Sequence, residues 1–289
     1  MKELCVYILF LVTFTSCLNN DFLERYPLGD PTAETAFQTY ENFKAYSWGL
    51  YETFSVPGYG AENSTDDISY NRTRGTSESE WIRGIVTIPD SRANTDWDYY
   101  SYIRRVNLML DHIDASQMSD TEKANWRSVG YFFRSLRYFT LLSTYGGVPW
   151  IDHVLSDDES DLIYGPRATR DEIANHILED LQYAEQNINP EGEGKNTINR
   201  ACVQALMSRF CLFEGTWRKY HNLSGADIFL QECERVSAEL IVAFPTIADC
   251  YDDLFCSLDL SGVPGIILYK EYLDAANVVH ATSIGGTTA

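Results

Sequence analysis

Three groups of side chains in this chain could do chemistry. Asp66 beside Asp67, and Asp96 near Asp98, are close carboxylates of the kind that act as acid and base on a glycosidic bond. That work needs a fixed separation across a sugar, which adjacency in sequence does not set, so helix caps and loop acids are the favoured reading. The run Asp157-Asp158-Glu159-Ser160-Asp161 could gather calcium, but it lacks the glycine and the alternating oxygen ligands of a calcium loop. A solvated acidic face is expected there instead. The five histidines are scattered, without triad or zinc spacing, so neither a catalytic residue nor a metal or other cofactor is expected. The third group is Tyr59, Tyr70, Asn71, Arg72, Arg74, Trp81 and Arg83. Flat rings remove the apolar C–H faces of a sugar from water, while Asn and Arg donate to its hydroxyls. Tyr59, Tyr70, Asn71, Arg74 and Trp81 form the candidate ligand-binding set; the competing reading is that the rings anchor their own loop.

Cys17 carries a different chemistry. Lys2 precedes an apolar run from Leu4 to Phe14 that ends in Thr15 and Ser16 directly before this cysteine. A bilayer-spanning helix needs about twenty apolar residues. The run is shorter and ends in small residues, so it reads as a lipoprotein signal peptide over 1–16, with Cys17 the acylated first residue of the mature chain. An ordinary secretory signal cut elsewhere is the alternative. Residues 17–31 are polar and proline-bearing, a tether between lipid and domain. The membrane contact expected is through the lipid anchor only.

The chain has 289 residues, with 42 acidic against 22 basic ones and a formal charge of −20. Nucleic acid and bare anionic lipid attract basic surfaces, so both are poor partners; neutral ligands such as carbohydrate fit better, and 19 Tyr with 6 Trp supply stacking faces. Of the seven cysteines, Cys202 and Cys211 fall in an apolar helical pattern and read as buried thiols. Export permits a bridge from Cys233 to Cys250 or Cys256.

The elements that must position these groups are helical. Apolar spacing predicts a helix from Thr32 to Phe54, stopped by Pro57, and another from about Thr95 to Asp114. Between them, Gly58 to Ser91 shows no sustained period and reads as a long binding loop, with disorder as the alternative. Ser119-x-x-Glu122 and Thr169-x-x-Glu172 are capping boxes. The first opens a helix stopped by Gly146 and Gly147, and the second a helix ending near Pro190. Two further helices span about Asn199 to Tyr220 and Ala226 to Ala243. Successive amphipathic pairs predict an all-α fold of tetratricopeptide-like helical repeats with long irregular binding loops, over a domain of residues 32–289. A plain helical bundle is the alternative.

Several segments, in order, carry a resemblance. They are Asp21-Phe22-Leu23-Glu24-Arg25-Tyr26-Pro27, then Trp97 through Asn107 to Ile113, then Arg134-Ser135-Leu136-Arg137-Tyr138-Phe139 with Tyr145-Gly146-Gly147-Val148-Pro149. Arg167, Ile173, Ile177, Asp180, Leu181 and Ala184 follow, and then Asn199-Arg200-Ala201. Behind a lipobox, this series resembles the SusD/RagB-like nutrient-binding outer-membrane lipoproteins. The resemblance implies a non-enzymatic lipoprotein on the cell surface, binding an oligosaccharide or polysaccharide and delivering it to a TonB-dependent, SusC-like transporter. A protein-interaction scaffold of that transporter complex, or a glycoside hydrolase acting through Asp66 and Asp67, are the alternatives. Two departures stand out. Val129 occupies a position where the family pattern leads one to expect a glutamate partner for Arg134, and the chain is shorter than such proteins. The domain is therefore expected to be incomplete at its C-terminus, to expose Ile266, Ile267, Leu268 and Tyr269, to self-associate and to bind sugar weakly.

Overall fold

The computed structural model of the chain describes residues 36–54, 99–255, 257 and 259–271, and among the described residues every regular element is a helix. Helix α1 is Tyr40–Trp48 and runs into a 3₁₀ turn, Gly49–Thr53; α2 is Tyr99–Asp111, α3 Asp120–Tyr145 and α4 Ser160–Ile163. Then follow α5 at Arg170–Asn187, α6 at Arg200–Tyr220, α7 at Ala226–Ala243 and α8 at Tyr251–Phe255.

Helix starts follow side-chain chemistry. At α3 the Ser119 amide donates to the Glu122 carboxylate at 2.8 Å while the Ser119 hydroxyl accepts from the Glu122 amide, so two otherwise orphaned donors are satisfied together. Thr169 and Glu172 repeat the device at α5 with a 2.7 Å bond, and Asn199 caps α6 by accepting from the Cys202 amide at 3.0 Å. The first helix departs from expectation: Thr39, not Thr32, caps α1, in a third box with Asn42. Its regular turns end at Gly49, ahead of Pro57, and both Thr32 and Pro57 lie outside the described residues. Helix α2 is regular only to Asp111, although Ile113 beyond it is still fully buried.

Two adjacent glycines stop α3 for different reasons. Gly146 has φ +73°, in the left-handed region, and its amide donates to the Leu142 carbonyl at 2.9 Å. A Cβ on Gly147 would lie 2.5 Å from the Ala168 carbonyl oxygen, because the Ala168 amide donates to Val148 at 3.0 Å and draws the entry of α5 against this turn.

Packing runs between successive helices: α2 on α3, α3 on α5, α5 on α6 and α6 on α7, with α1 against α3. That nearest-neighbour order is the repeat-like arrangement rather than a closed bundle. Helix α3 is the spine, burying Trp126, Phe132, Phe133, Tyr138, Leu141 and Leu142. Charged groups also enter the interior. Arg134 meets Asp180 of α5, and Glu214 of α6, fully buried, accepts from Arg170 at 2.6 Å and Arg218 at 2.8 Å. The partner of Arg134 therefore comes from the next packed helix, and position 129 holds a core valine instead of the expected glutamate.

Cys202 and Cys211 are buried free thiols, and Cys233 and Cys250 are also free, so neither bridge considered from sequence through Cys233 forms. The expected exposed patch is corrected as well. Ile266, Ile267, Leu268 and Tyr269 are half-buried, with Ile267 and Leu268 packed against the core. Exposed apolar side chains are found instead on and after α7, at Ile228, Ile241, Val242, Ile247 and Tyr251. Among the described residues, no helix is long and apolar enough to cross a membrane.

Candidate functional site

A cleft forms where three segments distant in sequence converge: the 3₁₀ turn after α1, the α5–α6 loop and the stretch 266–271. Its inner cavity, about 210 Å³, is lined by Tyr51, Phe54, Asn196, Leu268, Tyr269 and Lys270. A second groove of about 470 Å³ shares Tyr51 and Asn196 with it and adds Lys44, Trp48, Glu193, Lys195 and Thr197.

Tyr51 holds these segments together. Its hydroxyl accepts from the Ile198 amide at 2.8 Å, and its ring packs edge-on against Phe133 of α3 at 5.2 Å and Phe54 at 6.1 Å. Burial pushes this hydroxyl up to about 12, so it stays protonated at any physiological pH. The α5–α6 loop is tied by its own side chains. The Thr197 hydroxyl donates to Gly194 at 2.7 Å and accepts from the Glu193 amide at 2.8 Å, while Asn189 donates to the Gly192 carbonyl at 2.8 Å. Asn196 sits at φ 58°, a left-handed conformation that asparagine tolerates better than most residues. The loop thus presents the Asn196 amide and the Lys195 ammonium from a fixed backbone.

The Lys195 ammonium lies 5.7 Å from the centre of the Tyr269 ring and 3.5 Å from the Glu271 carboxylate. The Tyr269 hydroxyl and Glu271 together raise its pKa, so it remains a cation. Trp48 is 59% exposed, an indole face offered to solvent at the rim. Rings from Trp48 and Tyr269 with donors from Asn196 and the lysines form a surface on which a sugar ring can stack and hydrogen-bond. Among the described residues, the cleft lining holds a single carboxylate, Glu193.

Other concavities are less suited to a ligand. A groove of about 500 Å³ near α5 and α7 is lined by Glu185, Arg200, Glu232, Arg235 and Glu239 among others, but its charges satisfy one another: Arg235 pairs with Glu185 at 2.5 Å and with Glu232 and Glu239 at 2.9 Å each. In the acidic run, Glu159 accepts from the Ser156 amide at 2.7 Å and meets His153 at 2.6 Å. Those bonds hold its carboxyl at about 2, and among the described residues no group of ligating side chains could hold a metal ion.

Tyr59, Tyr70, Asn71, Arg72, Arg74, Trp81 and Arg83, the acids Asp66, Asp67, Asp96 and Asp98, and Cys17 all lie outside the described residues. The cleft residues come from three short segments with no shared period, so no sequence pattern joins them. The available signal was the Gly192-Glu193-Gly194-Lys195-Asn196 turn, whose glycines and asparagine mark special backbone conformations next to a lysine.

Comparison with known proteins places this geometry in context. The family described as SusD-like, starch-binding associating with outer membrane, matches residues 21–212. SusD-like protein P2 of Formosa agariphila is 23% identical over 228 residues, covering 75% of this chain and 44% of its own, and SusD-like protein P38 of the same organism is 26% identical over 163 residues, covering 56% and 29%. The chain therefore spans less than half the length of these curated relatives. Among solved structures, a SusD-like protein from Bacteroides fragilis superposes with a TM-score of 0.59 at 25% identity, covering 75% of this chain and 40% of that one. NanU of B. fragilis gives 0.63 at 17% identity over 84% and 50%, and a laminarin-binding SusD-like protein gives 0.58 at 17% over 76% and 49%. With the match running through α1, α2, α3 and α5 and into α6, the chain belongs to the SusD-like family.

Proposed function

We propose that this protein is a carbohydrate-binding lipoprotein of the outer membrane that captures oligosaccharide without chemically altering it and hands it to a TonB-dependent, SusC-like transporter. The observation that carries the reading is the coincidence of family membership over residues 21–212 with a cleft built of Trp48, Tyr51, Phe54 and Tyr269 around Asn196 and lysines. Starch binding, in the family's description, and the laminarin binding of one structural neighbour support carbohydrate as the ligand class. Retardation of the mature chain in native gels containing a polysaccharide panel tests the reading. Release of reducing ends from the same panel, abolished by Asp66→Asn or Asp67→Asn, would replace it with the hydrolase alternative.

Anchoring through acylated Cys17 belongs to the same proposal. Cys17→Ser removes the acyl chains and their membrane affinity while leaving export intact, so the variant should fractionate as soluble protein; continued membrane partition would refute the anchor. Protease shaving of intact cells tests surface display. A scaffold role is favoured by one observation, the exposed Ile228, Ile241 and Val242 on α7. It would gain if the chain co-purified with a transporter barrel yet bound no polysaccharide.

A further inference from the structure

Glu193 lines the larger groove, yet its carboxylate is committed to the protein. One oxygen accepts from Asn125 Nδ2 of α3 at 3.3 Å, and the other lies 3.9 Å from the Lys44 ammonium of α1. Burial first, and then hydrogen bonding to Glu193, raise the Tyr40 phenol of α1, which stays a donor beside the same carboxylate. With these partners around it, the Glu193 side chain is only 13% exposed.

Asn125 completes a clamp. It is 7% exposed on the spine helix, out of a ligand's reach, and its amide grips the α5–α6 loop at two points. Its Oδ1 accepts from the Asn189 amide at 2.8 Å while its Nδ2 donates to Glu193. From Glu193 the hold passes on to the cleft, because the Glu193 amide donates to the Thr197 hydroxyl and the next amide, Ile198, donates to Tyr51. The loop belongs to no helix or sheet, so these bonds set the place of its backbone.

We infer that Glu193 and Asn125 are positioning residues of the cleft: neither meets the ligand, and together they hold the 189–197 loop on α1 and α3 so that Lys195 and Asn196 are presented in a fixed place. The inference rests on the carbohydrate-binding reading above and assigns the residues that preorganise its site. A loop ordered by folding does not have to be ordered again on binding, which is how residues beyond a ligand's reach raise affinity.

The test reads loop order and affinity separately on the mature chain. Amide hydrogen exchange by NMR reports the loop without any ligand, and native-gel retardation reports affinity for the polysaccharide that most retards the parent. Glu193→Ala should speed exchange at the Glu193 and Ile198 amides about tenfold while the core of α3 is unchanged. It should also weaken binding about tenfold, the effect of losing one hydrogen bond to a charged group. Glu193→Gln keeps an oxygen for Asn125 and should recover most of both. Trp48→Ala removes a ring from the rim and not a clamp, so it should weaken binding with loop exchange unchanged. Asn125→Ala should act as Glu193→Ala does, and the double variant should bind no more weakly than the worse single one. Circular dichroism melting separates a loosened loop from a lost fold; if Asn125→Ala does not fold, the contrast between Glu193→Ala and Glu193→Gln decides. Unchanged loop exchange in Glu193→Ala would overturn the inference. So would effects of Glu193 and Asn125 that multiply in the double variant, since Glu193 would then meet the ligand itself. Faster exchange with affinity unchanged would overturn it and leave carbohydrate binding standing. Retardation of the parent by no polysaccharide would overturn the carbohydrate reading, and with it the binding role of the clamp.

Discussion

Arg134 and Asp180 form a two-pronged ion pair across the α3–α5 contact, Nε to Oδ2 and Nη2 to Oδ1 both at 2.8 Å, between residues 46 apart in sequence. The guanidinium also donates to the Asp152 carbonyl at 3.2 Å and lies near the faces of Tyr131 and Trp150, 4.7 and 5.1 Å from their ring centres. One side chain thus fixes the spine helix, its neighbour and the loop after the double glycine. Burial pushes the Asp180 carboxyl up and Arg134 pulls it back, as expected of a charge that persists in the interior only because its partner is there.

Removing one partner strands the other. Asp180→Asn should destabilise the fold by about 3–5 kcal/mol in urea unfolding, since a buried guanidinium is left without its counter-charge. The double variant Arg134→Met with Asp180→Leu should recover most of that loss. A double variant no more stable than the single one would mean that the hydrogen bond to Asp152 and the ring contacts, rather than the charge pair, carry the energy.

Close helix approach makes a second prediction. A Cβ at Gly215 of α6 would lie 2.7 Å from Leu230 Cγ and 3.2 Å from the Leu230 backbone nitrogen, so α7 has to move to admit it. Gly215→Ala should cost about 1–3 kcal/mol of stability by overpacking. If Gly215→Ala instead raises the melting temperature, the approach of α7 to α6 is looser than these distances.

The loop 152–159 should respond to pH. His153 Nδ1 meets Asp152 at 2.8 Å and Nε2 meets Glu159 at 2.6 Å, and these two contacts, Asp152 first, raise its pKa. A histidine raised in the folded state contributes stability that is complete below its unfolded pKa and is lost as pH rises through the folded value. His153→Gln should therefore destabilise the protein at pH 5.5 more than at pH 9, the two pH values chosen to bracket the raised titration. NMR titration of the His153 ring should give a pKa above the ordinary histidine value, and a value at or below it would remove the clamp.

The helices were legible because each start and stop is local chemistry. Ser119 with Glu122, Thr169 with Glu172, Asn199 and Gly146 stand where capping and left-handed backbone demand them. Thr39 carries no glutamate signature in sequence, because its partner at the third helical position is Asn42, and the apolar period runs on through it from Phe37. Tertiary pairing is not legible locally: nothing in sequence joins Arg134 to Asp180, and the family pattern points instead to position 129, which holds a valine. The cleft was hidden for the same reason. Its lining comes from the 3₁₀ turn after α1, the α5–α6 loop and the stretch 266–271, which no sequence period joins.

Trp48 provides the sharpest separation of binding from folding. This residue is 59% exposed at the last position of α1, while Phe43 and Leu50 on either side are fully buried and hold the helix to the core. Trp48→Ala should therefore leave urea unfolding within about 0.5 kcal/mol of the parent, the range of ordinary surface substitutions. A ring that stacks on a ligand contributes on the order of 1–3 kcal/mol, so the same variant should weaken glycan binding about tenfold. Phe54→Ala is the contrasting case. That ring packs at 6.0 Å on Phe133 as well as lining the cavity, so its loss should lower stability and binding together. Unchanged glycan affinity in Trp48→Ala, with binding otherwise intact, would place the ligand away from this cleft.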